Sequence, residues 1–328
     1  MARPLLIAFA LISFATARAA DAPPPERPEI AALVGEYGQG PDAVTVLEAR
    51  GKLLVRKGSE DTAIDEHAIQ GGATLSFKGQ TLQRTDIARD RVAFIRARVK
   101  RDLDALRAVA DTAHPPQEPA PKAQTDLVEL ASLDPTLRFD IRYATTNNFM
   151  GLPLYERAEA FLQRPAAEAL VRANKRLAKL GFGIVVFDGY RPWRVTKLFW
   201  DATPDDAHVF VADPSKGSRH NRGCAADIGL YDLATGRELV MISRYDEMSP
   251  RAYADYPGGT ERQRWLRAKL REAMEAEGFT VYPEEWWHFD YNGWKDFGIG
   301  EPSFTTLLAG RSSAPLPPAL PPLSGDGP

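Results

Sequence analysis

The sequence predicts an α+β fold in which an antiparallel sheet carries flanking helices, preceded by a small antiparallel β unit. Short alternating or β-branched runs between glycines indicate strands, and apolar residues recurring every three or four positions indicate helices. Four prolines within Ala113–Lys122 interrupt both patterns and separate a strand-rich first part from a mixed second part. The length of 328 residues agrees with two domains.

The first part, residues 29–112, is predicted to be a small β-rich domain with a trailing helix. A short Pro-rich linker, residues 20–28, precedes it, and a second Pro-rich linker, residues 113–125, follows it. The composition leaves its role open between binding of a cell-wall component, binding of a partner and simple packing against the second domain. Its predicted strands and helix are Val44–Leu47, Lys52–Val55, Ala73–Phe77 and Arg91–Val109.

The second part, residues 126–310, alternates strands and helices with clear start and stop signals. Pro165 suits the first turn of a helix that ends at Leu180, and Thr260 with Gln263 resembles a capping box. The Pro-rich segment 311–328 cannot build a core, so a disordered tail is predicted. The other predicted elements are strands at Leu137–Tyr143, Ile184–Phe187, Ala225–Tyr231, Glu238–Ile242, Phe279–Tyr282 and Trp287–Tyr291, and helices at Trp193–Ala202 and Thr260–Glu277.

Residues 1–19 have the pattern of a signal peptide. Arg3 supplies the positive charge, Leu5–Ala15 an apolar run too short to span a bilayer, and Ala17–Ala19 a small-x-small cleavage site. We therefore expect an exported protein, periplasmic or secreted, without a membrane-spanning segment.

The net charge and the cysteine content restrict the partners and the cross-links that we expect for this protein. A net charge of −3 and a pI near 6.0 argue against nucleic acid or an anionic membrane surface as the main partner. Cys224 is the only cysteine, which excludes an intramolecular disulfide. Strand alternation places Cys224 and Asp227 on opposite faces, so Cys224 is predicted to be a core residue.

Two distant stretches together offer the ligands of one metal site. His220 and Asp227 lie in the first, His288 lies in the second, and Gly223 permits a turn between the first two. Two imidazoles and one carboxylate leave the fourth position of a tetrahedral Zn²⁺ open, which distinguishes a catalytic zinc site from a structural one. The alternative, a core histidine hydrogen-bonded to a carboxylate, stays open for either histidine taken alone.

A second carboxylate stands just before His288 and could act as a general base. Glu284 and Glu285 compete for this role, because strand alternation places residue 284 on the face of residue 288 and residue 285 on the other. A base at 285 therefore requires a bend or a bulge, which Pro283 could accompany. The alternative for Trp286 and Trp287 is core packing, which we expect for at least one of them.

Arg191 follows a predicted strand within Asp188–Pro192 and precedes a predicted helix. Its guanidinium presents five donors that suit a carboxylate or a developing oxyanion. The alternative is a surface arginine paired with Asp188.

These motifs together resemble the zinc D-alanyl-D-alanine dipeptidases, relatives of the D,D-carboxypeptidases and of the hedgehog signalling domain. The resemblance spans about residues 126–310 and leaves residues 20–120 outside. The segment 140–149 resembles the first strand and loop of the family. The motifs are Ser218-x-His220-x-x-Gly223-x-Ala225-x-Asp227, Glu285-Trp286-Trp287-His288 and Asp188-Gly189-Tyr190-Arg191-Pro192.

The resemblance implies a hedgehog/D,D-peptidase-like zinc domain and a role for each site residue. It makes His220, Asp227 and His288 the ligands of one zinc ion per chain, and Glu285 the general base. It assigns Arg191 to stabilisation of the transition state. Ser218 would contact the substrate, and Asp246 would meet the substrate's free ammonium, although the family's Met-Gly-Thr lead-in reads Met241-Ile242-Ser243 here.

The resemblance further implies hydrolysis of the dipeptide D-Ala-D-Ala to two D-Ala, with export favouring the scavenging or remodelling of wall peptides. The first rival is a D,D-carboxypeptidase or peptidoglycan endopeptidase, which shares the metal but accepts longer peptides. The second rival is a non-catalytic zinc-containing binding module, against which the retained Glu285 and Arg191 argue. The partner expected is a small peptide, and the oligomeric state stays open.

Overall fold

The computed structural model describes residues 22–309, and the predicted signal peptide (1–19) and tail (311–328) lie outside the described residues. The strands are β1 (Gly35–Tyr37), β2 (Val44–Ala49), β3 (Lys52–Lys57), β4 (Glu60–Ile64), β5 (Ile69–Gln70), β6 (Thr74–Phe77), β7 (Gln80–Gln83), β8 (Leu127–Glu129), β9 (Arg138–Phe139), β10 (Phe161–Gln163), β11 (Phe182–Asp188), β12 (Ala225–Asp232), β13 (Phe279–Tyr282) and β14 (Glu285–Tyr291). The helices are α1 (Pro28–Ala31), α2 (Ile87–Thr112), α3 (Arg164–Ala178), α4 (Trp193–Ala202), α5 (Glu261–Glu275) and α6 (Phe304–Leu308).

The amino-terminal strands form two small antiparallel sheets. Strands β1 to β4 pair in chain order, and β5 to β7 form a second sheet in the same way. The side chains between these sheets build a hydrophobic cluster of their own, which includes Tyr37, Val46, Val55 and Leu75. The strands predicted at 44–47, 52–55 and 73–77 are all present.

Helix α2 packs differently from the strands before it. Its buried residues Ile95, Val99 and Leu106 belong to the large hydrophobic cluster of the second half of the chain, and the helix lies against α4. The helix is capped by Asp86, whose side chain accepts a hydrogen bond from the Arg89 backbone, and at Ile87–Thr112 it is longer than the predicted 91–109. The predicted domain boundaries stay a prediction, but α2 shares its core with residues 126–309.

The second half is organised on one five-stranded sheet in the order β13-β14-β12-β11-β9. All neighbours in this sheet are antiparallel except β9 and β11. Strand β11 is buried along its whole length, because helices and loops cover both of its faces. Strands β8 and β10 form a separate pair. The result is a mixed α+β architecture, as predicted.

The helix ends follow the predicted signals. Thr260 and Gln263 form the reciprocal hydrogen bonds of a capping box at the start of α5. Pro165 stands in the first turn of α3, and Gly181, with a φ of +86°, follows its end. Cys224, Trp286 and Trp287 are buried as core residues, as expected.

Two predicted strands are wrong in extent. The predicted strand Leu137–Tyr143 is reduced to β9, because turn hydrogen bonds close a single 3₁₀ turn at Arg142–Ala144. The predicted strand Glu238–Ile242 is reduced to one bridge between Tyr231 and Glu238, although the turn at Gly236 is present. Within residues 22–309, no helix has both the length and the apolar character needed to cross a bilayer.

Candidate metal centre and active site

Three neighbouring strands bring acidic and imidazole side chains into one row. Asp188 at the end of β11 is opposite Asp227 on β12, and Asp227 is in turn opposite His288 on β14. Residues directly opposite each other in a sheet project from the same face. The register of the sheet therefore places the side chains of Asp188, Asp227 and His288 next to one another.

His220 reaches the same face from a turn rather than from a strand. It begins a single 3₁₀ turn, His220–Arg222, and Gly223 then reverses the chain with a φ of +66°. A β-carbon on Gly223 would lie 2.4 Å from the Leu127 side chain, so both conformation and space require glycine here. The prediction that His220 approaches from a turn and Asp227 from a strand is confirmed.

The three predicted ligands converge on one point. His220 Nε2 lies 3.3 Å from Asp227 Oδ1 and 3.1 Å from His288 Nδ1, and His288 Nδ1 lies 3.1 Å from Asp227 Oδ1. Tetrahedral geometry with bonds of 2.0–2.1 Å requires ligand atoms about 3.3 Å apart. The observed triangle therefore has the size that a zinc ion needs.

The hydrogen bonds on the far side of each ring determine which nitrogen faces the centre. His220 Nδ1 lies 2.6 Å from the Gly189 carbonyl oxygen, which can only accept a proton. His288 Nε2 lies 2.9 Å from Asp290 Oδ1 in the same way. Both rings thus turn their other nitrogen inward, the one that a metal-binding histidine offers in its unprotonated form.

The centre gathers donor atoms that suit a cation. Ring nitrogens of His220 and His288 face Asp227 Oδ1, a buried oxygen that accepts no hydrogen bond among the described residues. Burial raises the pKa of Asp227, but His220 and His288 outweigh it and hold that pKa well below its usual range. Burial lowers the pKa of His288, while Asp227 and Asp290 outweigh it and raise that pKa well above its usual range. A metal cation and a proton compete for this position, and the donor set fits zinc.

The remaining oxygen of the carboxylate ligand is held by a tyrosine. The Tyr245 hydroxyl donates to Asp227 Oδ2 at 2.9 Å, and Arg191 Nη2 lies 3.7 Å from the same oxygen. These contacts orient the carboxylate so that Oδ1 alone points to the metal position. Such supporting partners typically change metal affinity by 10–100-fold when they are removed.

Glu285 lies beside the three ligands. Its Oε2 is 3.6 Å from His288 Nδ1, and its side chain is 13% exposed. The pairing of β13 with β14 shifts register between Val281 and Tyr282, so that Tyr282 pairs with Glu285. This irregularity is the bulge that a base at 285 requires, and it removes the alternation argument for Glu284.

The environment of Glu285 suits proton transfer near neutral pH. Burial is the main cause that raises its pKa, to about 8, against an opposing effect of His288. Nearby Asp227 and Asp246 raise it further. A carboxyl group with a pKa close to the working pH can both accept and return a proton.

Arg191 is not the surface residue of the alternative interpretation, although it does pair with Asp188. It is 7% exposed, and its Nε and Nη2 both donate to Asp188 Oδ2, at 3.0 and 2.7 Å. The Tyr155 hydroxyl and the Gly189 backbone donate to the other oxygen of Asp188. Arg191 is therefore a rigidly held cation at the edge of the centre.

Asp246 is a half-buried residue with one buried carboxylate oxygen unsatisfied. The Tyr143 hydroxyl donates to Oδ1 at 2.8 Å, whereas Oδ2 has no hydrogen-bond partner among the described residues. Burial raises the pKa of Asp246 to about 7 against the effect of the Tyr143 hydrogen bond. Its backbone is left-handed, with a φ of +62°, which is uncommon for a residue other than glycine. A buried acceptor without a partner is uncommon in folded proteins, and a cationic donor of a bound molecule would satisfy it.

Ser218 stands at the start of the turn that carries His220. Its Oγ accepts a hydrogen bond from the His220 backbone at 3.1 Å, and its own backbone donates to Asn221 Oδ1. Contact between Ser218 and a substrate stays a prediction.

Four supporting residues escaped the sequence-based prediction of site residues: Tyr143, Tyr245, Asp290 and, as more than a partner of Arg191, Asp188. Asp290 carried a usable signal, because a residue two positions after His288 on the same strand shares its face. The two tyrosines carried none, since their roles depend on contacts between loops.

The segment that carries the site is similar to known proteins. A family model described as D-Ala-D-Ala dipeptidase matches residues 123–296, which include every residue named in this subsection. A D-alanyl-D-alanine dipeptidase of Escherichia coli (strain K12) is 34% identical over 166 residues, covering 51% of this chain and 84% of the relative. Proteins of the same name from Enterococcus faecium and Streptomyces coelicolor are 36% and 34% identical, each covering 47% of this chain and 85% of the relative.

Proposed function

This chain belongs to the D-Ala-D-Ala dipeptidase family of zinc metallopeptidases, and on that premise we propose that it hydrolyses D-Ala-D-Ala to two D-Ala. We propose that His220, Asp227 and His288 hold one zinc ion per chain. The observation that carries the proposal is the triangle of inward-facing donor atoms with Glu285 beside it.

The reaction divides between the metal and the side chains around it. When bound, zinc in an open three-ligand site would act as a Lewis acid and lower the pKa of a water molecule to about 7. Glu285 accepts the proton of the attacking water and returns it to the leaving amine. Its raised pKa supports this double role, which is typically worth about 10²–10⁴ in rate.

Arg191 stabilises the negative charge that develops on the scissile carbonyl oxygen. Asp188 engages Nε and Nη2, and Nη2 also lies 3.7 Å from Asp227 Oδ2, so the guanidinium is fixed beside the metal position. Its aromatic neighbours Tyr143 and Phe199 face the cation at 5.2 and 4.8 Å, and burial keeps water from competing for its donors. A donor that is already oriented costs no reorganisation during the reaction.

Asp246 binds the free ammonium of the dipeptide, and Ser218 contacts the substrate closer to the metal. The unpaired Oδ2 of Asp246 supports this assignment, because a buried carboxylate oxygen without a hydrogen-bond partner gains most from a cation. A substrate whose amine is blocked leaves this carboxylate unpaired and pays the cost of its desolvation.

We also propose that the protein acts outside the cytoplasm, from the signal-peptide pattern of residues 1–19. The proposal extends to a hedgehog/D,D-peptidase-like arrangement of residues 126–310 and a separate small β domain before it. Peptides released from the cell wall are the substrates that such a location would supply.

The experiment is a comparison of three substrates with the purified, zinc-loaded protein. D-Ala-D-Ala, N-acetyl-D-Ala-D-Ala and a pentapeptide ending in D-Ala-D-Ala are assayed for released D-Ala, together with metal analysis. We expect one zinc per chain and a kcat/KM at least tenfold higher for the free dipeptide. Equal values for the pentapeptide would instead place the protein among the carboxypeptidases, and zinc without any hydrolysis would indicate a binding module.

A further inference from the structure

Helix α2 lies outside the region that matches the family, yet it contacts the loops around the candidate active site. The family model begins at residue 123, and the relatives are covered over 84 and 85% of their own length. What is left of each relative is too short to hold a counterpart of residues 22–122. The contacts that α2 makes are therefore a feature of this chain rather than of the family match.

Arg91, in the first turns of α2, joins two loops. Its Nη1 donates to the Met248 carbonyl oxygen at 2.8 Å, two residues after Asp246. Its Nε and Nη2 donate to Asp206 Oδ2 at 3.2 and 2.9 Å, and Nη2 also donates to the Asp206 carbonyl oxygen. The Arg91 side chain is only 16% exposed. A guanidinium that is engaged on every edge holds both loops in one arrangement.

Arg96, one turn and a half further along α2, holds a third loop. Its Nη2 donates to the Asn148 carbonyl oxygen at 2.8 Å. The Asn148 side chain donates to the carbonyl oxygens of Arg142, Thr145 and Leu152, and so ties together the loop that follows Tyr143.

The loops held by the two arginines meet at a single hydrogen bond. Tyr143 comes from the loop that Arg96 holds, Asp246 comes from the loop that Arg91 holds, and the Tyr143 hydroxyl donates to Asp246 Oδ1. The left-handed backbone of Asp246 persists only where its surroundings enforce it. Glu247 accepts hydrogen bonds from Arg244 and Ser249 within the loop, and the Met248 carbonyl, held by Arg91, ties this part of the loop to α2.

We propose that Arg91 is a positioning residue for the amine-binding end of the active site, and that α2 thereby sets the substrate preference of this chain. The proposal rests on the function proposed above for Asp246. Arg91 touches neither metal nor substrate; it acts by keeping the loop 241–259 in the conformation that presents Asp246. Loss of this brace leaves the metal ligands and Glu285 on the sheet and on the turn before it, and it reaches the metal centre through Tyr245, which belongs to the same loop and holds Asp227 Oδ2.

Three variants of the full zinc-loaded protein test the proposal. Arg91→Ala removes the brace, and Arg91→Lys keeps the charge but cannot engage both loops with a planar fork. Arg89→Ala is the control, since Arg89 is on the same helix, its side chain is 75% exposed, and it pairs with its neighbour Asp90. The measurements are zinc content, kcat and KM for D-Ala-D-Ala and its N-acetyl form, and hydrogen exchange of the loop 241–259.

We expect Arg91→Ala to raise KM for the free dipeptide about tenfold, the size of one charged hydrogen bond, with kcat near that of the unchanged protein when zinc is saturating. The preference for the free over the acetylated dipeptide should fall by a similar factor, and exchange in the loop should become faster. Arg91→Lys should lie in between, and Arg89→Ala should match the unchanged protein.

Unchanged loop exchange in Arg91→Ala would overturn the proposal. So would a parallel loss of zinc and kcat with a constant KM, because that pattern marks a general structural role. If the unchanged protein hydrolyses neither dipeptide, the proposed function fails, and the exchange measurement alone then decides whether Arg91 braces the loop.

Discussion

Replacing Asp246 with asparagine should make the protein more stable and less active at once. Its Oδ2 is buried and has no hydrogen-bond partner among the described residues, and Tyr143 donates to Oδ1. Asparagine has the same shape, can accept the same hydrogen bond and tolerates a φ of +62°. The substitution therefore removes the charge and little else.

The magnitude follows from the pKa of the carboxyl group. Burial raises the pKa of Asp246 from 3.8 to about 7 in the folded protein. The folded protein thus binds a proton more tightly than the unfolded chain, so its stability falls as the pH rises from about 4 to 7. At 1.36 kcal/mol per pH unit, the loss reaches about 4 kcal/mol above pH 7. The buried amide of asparagine keeps an unsatisfied group that costs about 1–3 kcal/mol, which leaves a net gain of roughly 1–3 kcal/mol at pH 8.

Urea unfolding of the metal-free proteins, followed by tryptophan fluorescence, measures this gain without the pH dependence of zinc binding. Asp246→Asn should exceed the unchanged protein by roughly 1–3 kcal/mol at pH 8 and by clearly less at pH 5. Asp255→Asn, at a residue whose side chain is 89% exposed, is the control and should stay within about 0.5 kcal/mol. In the zinc-loaded form, Asp246→Asn should also lose its preference for the free dipeptide. Lower stability of Asp246→Asn at pH 8 would refute the reasoning.

Further predictions concern the metal centre. His220→Ala should lose both zinc and activity, because two ligands remain; stoichiometric zinc at this site in the purified variant would contradict the ligand assignment. Glu285→Gln should retain zinc and lose about 10²–10⁴ in kcat, whereas Glu284→Gln should resemble the unchanged protein; the reverse pattern would identify Glu284 as the base. Tyr245→Phe removes the hydroxyl that holds Asp227 Oδ2 and should weaken zinc binding about 10–100-fold in a chelator competition, with unfolding by urea little changed.

The residues that converge at the centre could be predicted from the sequence because each lies in a short stretch whose local pattern indicates its conformation. His220 and Asp227 are separated by a glycine that must turn the chain, and strand alternation fixes the face of Asp227. The helix ends could be predicted for the same reason, since the Thr260–Gln263 capping box involves only neighbouring residues. Local chemistry of this kind does not require knowledge of the rest of the fold.

The supporting interactions could not be predicted from the sequence because they join residues that are far apart in the chain. The hydrogen bond between Tyr143 and Asp246 spans 103 residues, and the contact between Arg91 and Met248 spans 157. The predicted strand around Tyr143 failed for a related reason: its alternation was correct, but the chain there leaves the sheet to bring Tyr143 to a loop. The bulge at Glu285 was foreseen as a requirement, while its position depends on how β13 pairs with β14.

The row formed by Asp227 and His288 makes metal binding sensitive to strand register. A slip of β12 against β14 by one residue would turn the two side chains to opposite faces and leave no site that a single ion could bridge. Zinc therefore stabilises one pairing of these strands over its neighbours, and its uptake reports that the sheet has aligned correctly. During refolding, zinc capture should coincide with the burial of Trp286 and Trp287 on the same strand, rather than with the earlier formation of helices.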